Sequence, residues 1–158
     1  MKISRSGTTS DALDGDFSDG NVSHCSFIGI GGDALDFSGS NISISETIIS
    51  QVKDKGLSVG EASEITIRNC SFDQIGFGVA SKDNSFVSSS NITINQAEIA
   101  AFAAYQKKDI YGPSKIETVD HSITNTKTQF LAQDGSIILS NGIKIAEQSF
   151  SSDILYPK

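Results

Sequence analysis

Tryptophan is absent from this chain of 158 residues, and methionine occurs once; cysteine, histidine and proline occur twice each. With only Pro113 and Pro157, there is no proline-rich linker or polyproline segment. No apolar run reaches the roughly 18 residues that a membrane-crossing helix needs, so no membrane insertion is expected. The N-terminus, MKISRSGTTSD, lacks an apolar stretch and does not read as a signal peptide. A first repeat opens near Ser10 without a cap, so the native protein is expected to continue upstream. Basic residues are also scarce: 12 Lys and Arg stand against 19 Asp and Glu, a net charge of −7. Binding nucleic acid requires basic surface to neutralise phosphates, so that class of partner is not expected.

The two cysteines, Cys25 and Cys70, fall in the same slot of the repeat, two units apart, with Thr47 between them. Stacked β-coils lie about 4.8 Å apart, which puts these residues roughly 9.6 Å from each other. A disulfide needs Cα atoms within about 7 Å, so none is expected.

What the chain has instead is repetition. DGNVSHCSF (19–27), NISISETII (41–49), EITIRNCSF (64–72) and NITINQAEI (91–99) read as variants of one phrase. A second phrase recurs as GDALDFSGS (32–40), DKGLSVGEAS (54–63) and GFGVASKDNS (76–85). A period in this range is the signature of a solenoid. Aligned by unit, apolar columns emerge. One holds Phe27, Ile49, Phe72, Ile99 and Ile123; a second holds Val22, Ile44, Ile67, Ile94 and Thr118. A third holds Ile30, Val52, Ile75, Phe102 and Thr126, and a fourth Leu13, Leu35, Leu57, Val79 and Ala104.

The segments between columns are too short for helices. The predicted fold is all-β: a right-handed, single-stranded parallel β-helix of about six coils, three short strands per coil. Residues 97–108, AEIAAFAAYQKK, have helical propensity, but their place in the columns favours strand and turn. The expected organisation is a linker or disordered N-terminus over 1–9, the β-helix over 10–145, and a cap or tail over 146–158.

The strings GGDALDFSGSNISIS, DKGLSVGE, GVASKD and AAYQKKDIYGP resemble the right-handed parallel β-helix repeat proteins, a pectate-lyase-like superfamily. They are most similar to a bacterial subgroup of cell-envelope or secreted proteins with no known catalytic motif. The resemblance covers about residues 10–145 and implies an extracellular or envelope location. It brings no catalytic residue with it: the arginine base of pectate lyases and the Asp and His motifs of polygalacturonases are not visible here.

Several residues are candidates for chemistry. Asp11 and Asp14 repeat as Asp33 and Asp36 one unit later, and stacked carboxylates repel unless a cation such as calcium joins them. The leading alternative is that these residues are turn formers that bond their own backbone. Lys55 takes the place of Asp33 in the next unit, and Ser58 that of Asp36. Lys55 is expected to pair with Asp33, and Lys82 with Glu61; alternatively, Asp36, Lys55 and Lys82 line a ligand or catalytic face. Tyr105 and Tyr111, beside Lys107 and Lys108, offer rings on which a sugar stacks. Ser43, Thr66 and Thr93 are read as one outward column, and Ser45, Arg68 and Asn95 as its neighbour. His24 and His121 lie in turn slots too far apart along the axis to share a metal. The sequence therefore supports a non-catalytic module of a larger secreted or envelope protein, glycan-binding or a rigid spacer. The alternative is a calcium-assisted polysaccharide lyase acting through Asp14, Asp36, Lys55 and Lys82. Polysaccharide is the expected partner, with association through the end coils or a homodimer as further expectations.

Overall fold

A computed structural model describes residues 4–156 and winds them into a β-solenoid of about six turns. Coil one comprises β1 (Ser4–Thr8), β2 (Leu13–Asp16) and β3 (Asp19–Ser23). Coil two comprises β4 (Ser26–Ile30), β5 (Leu35–Ser38) and β6 (Asn41–Ser45). The next strands bend around the corners without a break: β7 (Ile48–Gly60), β8 (Glu64–Lys82), β9 (Phe86–Tyr105) and β10 (Lys115–Thr124). The chain ends with β11 (Phe130–Gln133), β12 (Ile137–Ser140), β13 (Ile143–Lys144), β14 (Glu147–Gln148) and one 3₁₀ turn, Ser152–Leu155. Every coil-to-coil pairing is parallel; β13 alone pairs antiparallel, closing the C-terminal end as a hairpin with β12.

Strand alternation sends every second side chain inward, where equal positions of successive coils stack. One inner ladder runs Leu13, Leu35, Leu57, Val79, Phe102 and Phe130. Another runs Ile42, Ile65, Val87, Ile116 and Ile138. The corners are turned by residues in the left-handed region, in two regular columns: Glu46, Asn69, Asn91 and Asp120, then Gln51, Gln74, Gln96 and Asn125. Asn tolerates that conformation better than most L-residues. Its amides add an outer ladder, with Asn69 Nδ2 donating to Glu46 Oε1 and Asn91 Nδ2 to Asn69 Oδ1.

A second ladder, of buried serines, holds another corner. Ser40 Oγ accepts from the Ser18 N–H, Ser63 Oγ from the Ser40 N–H, and Ser85 Oγ from the Ser63 N–H. Ser136 Oγ does the same for Ser114. Each hydroxyl satisfies a backbone donor where the chain leaves the sheet and the ladder bonds lapse.

The structure corrects the repeat alignment in the fourth unit. Residues 86–94, not 91–99, lie over 64–72. Ile94 therefore joins the column of Phe27, Ile49, Phe72 and Ile123, and Ile99 is 40% exposed. Ser89 takes the place expected for Ile94, Ala97 that of Phe102, and Phe102 that of Ala104. The cause is a repeated look-alike: NITIN at 91–95 copies the alternation of NISIS at 41–45, but one corner later. The extra residues of this unit enter at a register shift after Ile75 and Ala97 and in the loop at 106–114. Thr93 consequently faces Ser71 and Asn95 faces Asp73, so the outward columns are Ser43, Thr66, Ser88 and Ser45, Arg68, Ser90.

Residues 97–105 are strand, as the columns require and propensity does not. Over the expected N-terminal linker, Ser4–Thr8 instead pairs with Ser26–Ile30; residues 1–3 lie outside the described residues. Of the tail beyond 146, Glu147 and Gln148 pair with β11, and Phe150, Leu155 and Tyr156 pack on an outer face with Phe77, Ala80, Ala100, Ala103 and Tyr105.

Candidate functional site

The outer face beneath that tail is built from three columns. The first runs from Asp33 to Lys55, Phe77 and Ala100; the second from Asp14 to Asp36, Ser58, Ala80 and Ala103. The third runs Asp16, Ser38, Lys82 and Tyr105, with Gly60 between Ser38 and Lys82. Along the axis the same face therefore passes from carboxylates, through ammonium and hydroxyl groups, to rings and methyls. Strand register alone sets this order, because each coil contributes one residue to each column.

At the centre lie two buried ammonium groups. Lys55 is 2% exposed and pairs with Asp54 at 2.8 Å and Asp33 at 3.6 Å. Burial pulls its pKa down, but Asp33, Tyr156 and Asp54 outweigh that, and the group sits above its ordinary value. Asp33 is the weaker partner. Burial raises its carboxyl to about 6, opposed by Lys55 and by the Lys55 N–H that it accepts. Both partners are thus charged at neutral pH.

Lys82 differs. It is 8% exposed, and the one hydrogen-bond partner of its ammonium among the described residues is Ser58 Oγ, 2.7 Å from Nζ. No carboxylate lies within ion-pair distance of it there, and burial lowers its pKa. The expected pairing of Lys82 with Glu61 does not form; Glu61 instead meets Lys108 of the inserted loop.

The four aspartates do not converge. Asp11 Oδ1 accepts from the Asp33 N–H at 2.7 Å, and Asp33 Oδ1 from the Lys55 N–H at 2.9 Å. These two carboxylates cap backbone donors of the next coil. Asp14 and Asp36 do stand opposite each other in adjacent coils. Burial and the Asp36 charge raise the Asp14 carboxyl. Among the described residues, no group of three or more His, Cys, Asp or Glu is placed to hold a metal ion.

Tyr105 is fully buried, so it offers no open ring; its hydroxyl meets that of Tyr156 at 2.5 Å. Tyr156 lies over the face, half-buried against Tyr105 and its neighbours. Lys107 Nζ stands 4.3 Å and Lys55 Nζ 5.0 Å from the centre of its ring. Tyr111 stays in the loop, where its carbonyl accepts from Gln106 Nε2. That loop is pinned by Asp83, whose Oδ1 accepts from the N–H groups of both Lys107 and Lys108. Ser58 and Tyr156 were missed as site residues. Ser58 had a sequence signal, its register with Asp36; Tyr156 had none, because it lies outside the repeat.

The remaining candidates lie elsewhere. Cys25 and Cys70 stand in one column two coils apart and are not bonded to each other. Burial raises the Cys70 thiol to about 11, the behaviour of a core residue rather than a nucleophile. His121 packs edge-on against Phe102 and Phe130, and His24 turns a corner with a left-handed backbone. No described helix is long and apolar enough to cross a membrane.

The sequence model of the family described as the right-handed beta helix region matches residues 2–152. None of the curated proteins matches the chain.

Proposed function

The chain belongs to the right-handed β-helix family, and from that premise we propose that it is a non-catalytic, glycan-binding module of a larger secreted or envelope protein. The binding face is the outer column set bearing Asp36, Lys55, Ser58 and Lys82. One observation carries this reading over that of a rigid spacer: two lysines are buried on a face that points away from the core. Removing an ammonium from water costs several kcal/mol unless charges and hydrogen bonds compensate. A spacer needs only a solvated polar surface there.

The chemistry of the face suits a saccharide. Carboxylate and hydroxyl groups accept from sugar hydroxyls, and ammonium groups donate. Rigid strands hold these groups in place. The calcium-assisted lyase remains the alternative, supported by the facing carboxylates Asp14 and Asp36.

A glycan array probed with the intact chain and with Lys82→Met tests the reading. Binding to at least one glycan, weakened tenfold or more in Lys82→Met with the melting temperature held, is the expected result. No binding to any glycan favours the spacer, and binding unaffected by Lys82→Met moves the site off this face.

A further inference from the structure

The polar part of this face and its apolar part are one continuous surface, and the chain itself covers the apolar part. After Gln148, whose carbonyl accepts from the Asp134 N–H, no described backbone-to-backbone hydrogen bond ties the tail to the solenoid. It is held instead by a few side-chain contacts. Gln133 Nε2 donates to the Phe150 carbonyl, Leu155 seats among Phe77, Ala80 and Ala103, and the Tyr156 hydroxyl meets Tyr105. The turn Ser152–Leu155 bonds only within itself, from Ser151 to Tyr156. Segments held this way open locally at a free energy far below that of global unfolding. The solenoid beneath is the opposite case, since β8 and β9 pair along almost their whole length.

The strap also borders an open cleft. A cleft of about 290 Å³ runs between the strap and the inserted loop, lined by Gln106, Lys107, Asp109, Gln133, Phe150 and Ser151, among others. Tyr156 rests in surroundings that would equally receive a sugar ring. Two ammonium groups flank its ring, a phenol meets its hydroxyl, and an apolar floor of Phe77, Ala80 and Ala103 lies alongside.

We propose that residues 149–156 form a displaceable strap, and that Tyr156 occupies a pyranoside subsite which a bound glycan takes over when the strap lifts. This rests on the glycan-binding reading and adds to it a competing intramolecular occupant. Lifting the strap uncovers Phe77, Tyr105 and Lys55 together, joining the stacking floor to the polar columns. Ligand affinity in the intact chain is then lowered by the fraction of time the strap is closed.

The test measures affinity of the intact chain and of Tyr156→Ala for neutral and uronate-containing hexasaccharides, alongside amide hydrogen exchange. Tyr156→Ala should bind the same saccharide at least threefold more tightly. Saturating saccharide should speed exchange at residues 151–156 of the intact chain while β8 stays protected. Leu155→Ser, which loosens the strap but leaves the Tyr156 ring in place, should move affinity in the same direction. If the intact chain binds and neither variant gains affinity, or if saccharide slows exchange in the strap, the strap proposal fails and the binding reading survives. If no chain binds any saccharide, both fail.

Discussion

Ser63 bonds in three directions at a corner. Its hydroxyl accepts from the Ser40 N–H and donates to the Gly60 carbonyl at 2.6 Å, while its own N–H donates to Ser85 Oγ. Ser63→Ala orphans the buried Ser40 donor, which should destabilise by about 1–3 kcal/mol in chemical denaturation. A loss below about 0.5 kcal/mol would mean that water replaces the hydroxyl. Asp33 supports a pH prediction. Its folded pKa of about 6 lies above the unfolded value of about 3.9. Its contribution to stability is therefore fully present below about pH 4 and lost as pH rises through 6. Relative to Asp33→Asn, which keeps the acceptor for the Lys55 N–H, the native chain should gain stability on going from pH 7 to 5. Parallel pH profiles for the two proteins would contradict that.

At the scale of elements, much was legible because the inner columns are nearly pure. Leu13, Leu35 and Leu57 recur every 22 residues, so both strand type and stacking followed from spacing. Where the column chemistry changed, legibility stopped. Ser89 follows the apolar Val22, Ile44 and Ile67 in its ladder, with Thr118 beyond it, and its buried hydroxyl lacks a hydrogen-bond partner among the described residues. A reading guided by hydrophobicity slides past such a residue to the next alternating run. That slip misplaced Ile99, and the two registers make opposite predictions. Ile94→Ala should cost about 2–5 kcal/mol and Ile99→Ala less than about 1 kcal/mol. Thermal or urea unfolding of the pair decides between them, and a larger loss at Ile99 would restore the rejected alignment. The site was half legible for the same reason: Asp36, Lys55 and Lys82 sit in repeat positions, whereas Tyr156 reaches the face through a tail with no repeat to locate it.

Seen whole, the molecule is a stack whose coils each depend on their neighbours, with buried lysines on one outer face. Asp11 and Asp33 are tied to backbone donors, so millimolar calcium should leave the melting temperature where magnesium leaves it. A calcium-specific rise that Asp36→Ala abolishes would instead favour the lyase reading. Backbone NMR shifts recorded during titration with the best-binding saccharide should move along Asp36, Ser58 and Lys82 and out to Tyr156, leaving the Asn69–Asn91 corner unchanged. Shifts confined to that corner or to the loop at 106–114, with the Ser58 and Lys82 signals still, would contradict the proposed binding face.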